Sequence, residues 1–173
     1  MARISYVEKE NAPDDIKAIY DQVQGKLGIV PNVLKAMANS PEMFKGFVPF
    51  LSASMGETQV DPKLKELAIL TTAKINGCSY CTAHHTAAGK RAGLTENQIN
   101  AVPDTSSPDL DEKEKAVVRF SKEVARDVSG SQESIDQLRK HFDDSQIAEI
   151  NMIVGVFSVL TRFADTFKVD LEK

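Results

Sequence analysis

Apolar positions recur at threes and fours through most of the chain, the period of a helix that buries one face. Ile16, Ile19, Tyr20, Val23 and Leu27 form the first stripe, entered after Pro13, which suits a first helical turn, and left at Gly28 and Pro31. Two shorter helices are expected next, one over 32–38 and one from Pro41 carrying Phe44, Phe47, Phe50 and Leu51. Asp61-Pro62 pairs an N-cap carboxylate with a proline whose missing N–H costs nothing there, and predicts a helix running to about Ile75. Asn76-Gly77 interrupts it, because glycine takes the positive φ at which helices turn out. A new helix opens near Cys78, continues through CTAHHTAAGKRA and stops at Gly93. Thr95-Glu96-Asn97-Gln98 has the form of a capping box for another short helix. PDTSSPD at 103–109 reads as a linker, and helices are expected over 111–128, 131–141 and 144–167. No strand-like alternation persists, so the expected class is all-α, one domain over 1–173.

The last helix carries Ile147, Ile150, Ile153, Val154, Val156, Phe157, Val159, Leu160, Phe163 and Phe167, apolar over more than one stripe. It is expected to be covered on several sides, either within the chain or partly by another subunit. Its densest apolar run, residues 152–160, is far shorter than the ~20 residues a helical span needs, so no membrane segment is expected. A faint internal echo links Leu94-Thr95-Glu96-Asn97-Gln98-Ile99 to Phe142-Asp143-Asp144-Ser145-Gln146-Ile147, each placed after a helix.

Composition changes this picture little. The chain has 173 residues, 42% of them hydrophobic and 27% charged, and a formal net charge of −4, which speaks against the clustered basic face that nucleic acid requires. The start, MARISYVEKENAPDD, lacks the apolar core of a secretory signal, so a reducing cytoplasmic setting is expected. Neither a nucleotide loop nor a flavin or NAD fingerprint is present, and no cofactor is expected.

The chemistry concentrates in the only two cysteines, Cys78 and Cys81. A disulfide closing so short a loop adds little as a staple, which points to a redox use. The pair opens a helix, where free N–H groups and the macrodipole favour thiolate. Cys78, Cys81 and His85 stand at i, i+3 and i+7, within an arc of roughly 60° on one helical face at ~100° per residue. Glu66 lies ~15 Å back along the preceding helix and His85 ~10 Å along the next, so an antiparallel pair of helices would bring them to similar height. The imidazole could then take a thiol proton while the carboxylate orients the ring. His84 points ~100° away from His85, toward the wall or the surface, and is a secondary candidate with Tyr80.

Glu66 followed by Cys78-Ser79-Tyr80-Cys81-Thr82-Ala83-His84-His85 resembles the Glu, Cys-x-x-Cys-x-x-x-His signature of AhpD-like alkylhydroperoxidases, in the carboxymuconolactone decarboxylase superfamily. The likeness extends over the lead-in ELAILTTAKINGC and the following AAGKRAGLTENQI, with a core motif over 61–100. It implies an oligomeric AhpD-like helical bundle, trimer or hexamer. It also implies a thiol-dependent peroxidase in which Cys81, activated through His85 and Glu66, becomes a sulfenic acid that Cys78 resolves as a disulfide. A thiol protein or small dithiol would then reduce the pair. Position alone favours Cys78 as the more acidic thiol, whereas the resemblance points to Cys81. Tyr80 is a departure, since the better-studied enzymes often carry a histidine there.

Other readings stand beside this one. Cys78 and Cys81 could be small buried residues, or with His85 could ligate zinc, although a second ligand pair is missing. Glu66 taken alone would be a solvated carboxylate, and His141 a capping or exposed residue. Phe44, Phe47 and Phe50 read as core first and as an apolar substrate wall second. Lactone decarboxylation, or a redox sensor or adaptor without turnover, are the competing functions.

Overall fold

The computed structural model describes residues 1–172. Among the described residues nine α-helices follow one another, α1 Asp14–Leu27, α2 Asn32–Met37, α3 Pro41–Met55, α4 Pro62–Ile75, α5 Ser79–Arg91, α6 Glu96–Ala101, α7 Glu112–Asp127, α8 Gln132–Arg139 and α9 Asp144–Phe167. No strand occurs among the described residues, so the fold is all-α as expected. From α4 onward the helices begin where side chains cap them. Asp61 accepts from the Lys63 N–H at 2.8 Å, and full capping boxes start α6 (Thr95, Gln98), α7 (Asp111, Glu114) and α9 (Asp143, Gln146). The echo between the two TENQ- and DDSQ-type segments is thus a shared way of starting a helix. Pro13 sits one position outside α1 as its N-cap rather than inside the first turn.

α4 is the axis of the molecule. Every residue from Leu64 to Ala73 is buried, and the helix packs against α5, α7 and α9. A helix covered on all sides must satisfy its polar groups locally. Thr71 and Thr72 return their hydroxyls to the Leu67 and Ala68 carbonyls, at 2.7 and 2.8 Å. Lys65 donates to the Gly56 carbonyl at 2.8 Å and pairs with Glu149 at 2.9 Å.

α9 explains the broad apolar coverage of its sequence. It lies against α3, α4, α5 and α7 of the same chain and buries Ile150, Ile153, Val154, Phe157, Leu160 and Ala164. Met152 and Val159 remain about half exposed. As a whole this helix has the length and apolarity of a membrane span, which the short central run had concealed, but its most apolar window is 44% buried inside the fold.

The aromatic triad of α3 divides. Phe44 is fully buried edge-on against Tyr20, with centroids 5.8 Å apart, whereas Phe50 is 40% exposed. Six residues along a helix amount to a rotation of ~600°, which leaves the two on different sides. The segment 103–109 runs as turns, as its composition predicts.

Candidate active site

The site is built on the turn between α4 and α5. Gly77, at φ 69°, lets the chain reverse there, with its N–H on the Lys74 carbonyl at 3.2 Å and the Cys78 N–H on the Ala73 carbonyl at 2.9 Å. These two bonds are those of a Schellman motif, and a side chain at Gly77 would force that φ on a residue that resists it. The motif delivers Cys78 directly as the N-cap of α5, where its sulfur accepts the Cys81 N–H at 3.1 Å. Cys78 and Cys81 are joined as a disulfide, with Cα atoms 5.4 Å apart. Both are almost wholly buried.

On the next turns of α5, His85 faces α4. Its Nδ1 stands 2.8 Å from Oε2 of Glu66, and both side chains are largely shielded from solvent. The ring also meets Phe157 of α9 edge-on, with centroids 4.8 Å apart. A proton on Nδ1, donated to the carboxylate, leaves Nε2 free to accept another. Close approach of α4 and α5 is helped by Gly89, one turn beyond His85. A Cβ there would lie 2.9 Å from Leu94 Cδ1, 3.4 Å from Leu70 Cδ1 and 3.8 Å from Glu66 Cβ.

A cavity of about 540 Å³ opens beside this hairpin, within the size range of small-molecule sites. Cys81, His84 and His85 reach its wall, and Val33, Val48, Leu51 and Leu160 make much of the remainder. Phe44, Phe47 and Phe50 are not among its lining residues, so the α3 contribution comes instead from aliphatic neighbours one position along. Cys78 faces elsewhere, into a smaller cleft of about 220 Å³ shared with Ser79, Asp165 and Lys168. The two cysteines of one disulfide therefore border different spaces.

Sequence reasoning missed Glu172. This residue lies in the tail after α9, and its carboxylate is used in full. Oε1 accepts the Asn32 N–H at 2.6 Å and the Tyr80 hydroxyl at 2.8 Å, while Oε2 lies 2.7 Å from Nε2 of His84. Burial alone would push this carboxyl up, but the donated bonds from Asn32 and Tyr80 outweigh it and hold the group below the usual range. Burial pushes the Tyr80 hydroxyl strongly upward, with the bond to Glu172 adding to it, so Tyr80 stays a protonated donor. The Tyr80 and His84 rings pack at 4.5 Å. The tail is itself pinned to the start of the chain, with Asp170 Oδ2 accepting the Ala2 N–H at 3.0 Å and the Tyr6 hydroxyl at 3.4 Å. Only tertiary structure reveals Glu172, since no local motif marks it. His141 is exposed, and among the described residues no group of three or more His, Cys, Asp or Glu side chains is arranged to hold a metal ion.

Comparison with known proteins agrees with this construction. Residues 41–123 match the Carboxymuconolactone decarboxylase family model. The fold is similar to an alkylhydroperoxidase AhpD core structure, an uncharacterized peroxidase-related protein from Ralstonia eutropha JMP134, with TM-score 0.88, 25% identity and coverage of 99% of this chain and 93% of that one. A peroxidase-related protein from Silicibacter sp. TM1040 gives TM-score 0.84 and 25% identity over 99% and 92% of the two chains. The debrominase Bmp8 shares the fold at TM-score 0.84 and 19% identity, over 98% and 91%. Among curated sequences, the uncharacterized protein YdfG of Bacillus subtilis (strain 168) is 22% identical over 111 residues, 62% of this chain and 76% of the relative. With its helical architecture, its Cys-x-x-Cys at the α5 N-terminus and these likenesses together, the chain is similar to the AhpD-like proteins of the carboxymuconolactone decarboxylase superfamily.

Proposed function

We propose that the protein is a thiol-dependent peroxidase that reduces hydrogen peroxide or organic hydroperoxides through Cys78 and Cys81. The observation that carries this reading is the wall of the larger cavity, where Cys81 and His85 stand together and His85 is tied to Glu66 at 2.8 Å. In the reduced protein His85 takes the Cys81 proton, and the Glu66 carboxylate supports the positive ring. The thiolate attacks the outer oxygen of the peroxide. An S–O bond forms, the O–O bond breaks, and an alcohol or water leaves with the sulfur oxidised to sulfenic acid. Cys78 then displaces water from that sulfur and closes the disulfide, the state in which the pair is found here. A thiol protein or small dithiol supplies two electrons and two protons to reopen it.

The same reading takes residues 1–173 as one working unit in a reducing cytoplasm, assembled as a homotrimer or homohexamer. The half-exposed apolar side chains of Met152 and Val159 on α9 support assembly, which light scattering on the purified protein measures.

The decisive test is peroxide consumption with dithiothreitol as electron source. Wild type should turn over repeatedly, and serine at Cys78 or Cys81 should abolish cycling. Without added thiol, Cys78→Ser should consume one peroxide per chain and leave a sulfenic acid that dimedone traps, whereas Cys81→Ser should consume none. One oxidation per wild-type chain with no cycling in dithiol would replace this reading by redox sensing. Lactone decarboxylation that survives in the double serine variant would replace it by the decarboxylase reading.

A further inference from the structure

The cavity wall carries two imidazoles, each backed by its own carboxylate, and the peroxidase reading uses only one of them. His85 sits against Phe157 and buried Glu66, where it serves the sulfur. Adjacent His84 turns ~100° around the helix from it and faces another part of the same cavity. His84 is held by two neighbours. Glu172 Oε2 meets Nε2 at 2.7 Å, the Tyr80 ring lies at 4.5 Å, and Glu172 is itself fixed by the Asn32 N–H and the Tyr80 hydroxyl. Its side chain is about one third exposed, so the ring can exchange protons with water.

Peroxide reduction makes two separate proton demands. Attack on an O–O bond proceeds along that bond, so the leaving oxygen lies on the far side of the attacked one, away from a base placed against sulfur. An alkoxide leaving group needs a proton at that distance. We propose that His84 is the general acid that delivers this proton, with Glu172 as the positioning residue that holds its ring, which rests on the peroxidase reading above. In the balanced step the Cys81 thiolate takes the outer oxygen, the O–O electron pair goes to the leaving alkoxide, and protonated His84 converts that alkoxide to alcohol. Solvent reprotonates the imidazole. Glu172 neither touches substrate nor moves a proton in this scheme. It keeps the ring facing the cavity through the contact of Oε2 with Nε2.

The test compares two oxidants that differ in their need for acid. Cumene hydroperoxide expels an alkoxide, which must be protonated, and peracetic acid expels acetate, which need not be. Rates of thiol oxidation should fall about 100-fold for cumene hydroperoxide in His84→Phe and less than about 3-fold for peracetic acid, the selectivity expected from loss of a general acid. Glu172→Gln keeps acceptors for Asn32 and Tyr80 but removes the anion from His84, and should lose about 10-fold with cumene hydroperoxide alone. His84→Gln serves as a second variant should the phenylalanine fail to fold, and circular dichroism checks each. Equal losses with both oxidants, or no loss, would overturn the role of His84 while leaving the peroxidase reading intact. A wild-type protein inert to both oxidants would overturn both.

Discussion

Nδ1 of His85 and Oε2 of Glu66 meet at 2.8 Å although 19 residues separate them, because the Schellman turn at Gly77 folds α5 back along α4. The carboxylate is 5% exposed and has the imidazole as its partner, so its negative charge is directed at one ring rather than spread into solvent. Glu66→Gln retains the shape and an acceptor oxygen but removes that charge. Thiol oxidation by hydrogen peroxide, followed by stopped flow, should slow by about 100-fold, or about 2.7 kcal/mol of barrier, with the melting temperature little changed. A variant that oxidises at the wild-type rate would show that the carboxylate plays no part in activating Cys81.

Lys65, the neighbour of Glu66 in sequence, points toward the α3–α4 connection and is an anchor of the fold. Its side chain is 3% exposed, and its ammonium reaches the Ser54 and Gly56 carbonyls, Thr58 and Glu149. Lys65→Met would leave Glu149 partly buried without its cation and three acceptors without a donor. Because Glu149 keeps some solvent, the cost should fall at or below the low end for a broken buried pair, about 2–3 kcal/mol, read from urea unfolding. The Lys65→Met, Glu149→Leu double variant should recover part of that loss.

Much of the helical order and the pairing of Glu66 with His85 was legible because both are local consequences. Caps at Asp61, Thr95 and Asp143 are written in adjacent residues, and the Glu66 to His85 contact follows from counting residues on either side of one turn. What escaped was set by distant packing. Glu172 reaches Tyr80 and His84 across 92 and 88 residues, and nothing near position 172 announces it. The aromatic residues of α3, read as core first and as a substrate wall second, follow the first reading at Phe44. Phe44 was an attractive lining residue by type, but Tyr20 of α1 claims it for the core, and Val48 and Leu51 turn to the cavity instead.

Acid should loosen both the tail and the bundle. Burial raises the carboxyls of Glu149 and Glu172, but hydrogen bonds outweigh it, from Thr58 and Lys65 in one case and from Asn32 and Tyr80 in the other, so both stay below the ordinary 4.5. A group whose folded value is lowered contributes fully above its unfolded value, and that stability is lost as pH falls through the folded value. The melting temperature should therefore decline below about pH 4.5, and less so in Glu149→Gln than in wild type. The chain has three tyrosines and no tryptophan, and two of the three, Tyr6 and Tyr80, bond to tail carboxylates. Tyrosine fluorescence should accordingly change as pH falls below about 4.5, and less so in Glu172→Gln than in wild type.

The cavity is far larger than hydrogen peroxide needs, and this gives a way to ask whether bulky hydroperoxides use it. Leu51 lines it from α3 and is only partly buried, so a larger side chain can project into the open volume without invading the core. Leu51→Trp should take up a substantial part of the roughly 540 Å³, while Cys81, His85 and Glu66 on α4 and α5 stay in place. A substrate that fills the cavity loses contacts it makes in both ground and transition states, so KM should rise with kcat nearly unchanged. For cumene hydroperoxide a rise of about 10-fold is expected, equivalent to 1–2 buried methylene groups, and for hydrogen peroxide essentially none. Equal effects on both oxidants would mean that the apolar wall does not select the substrate and that peroxide reaches Cys81 by another route.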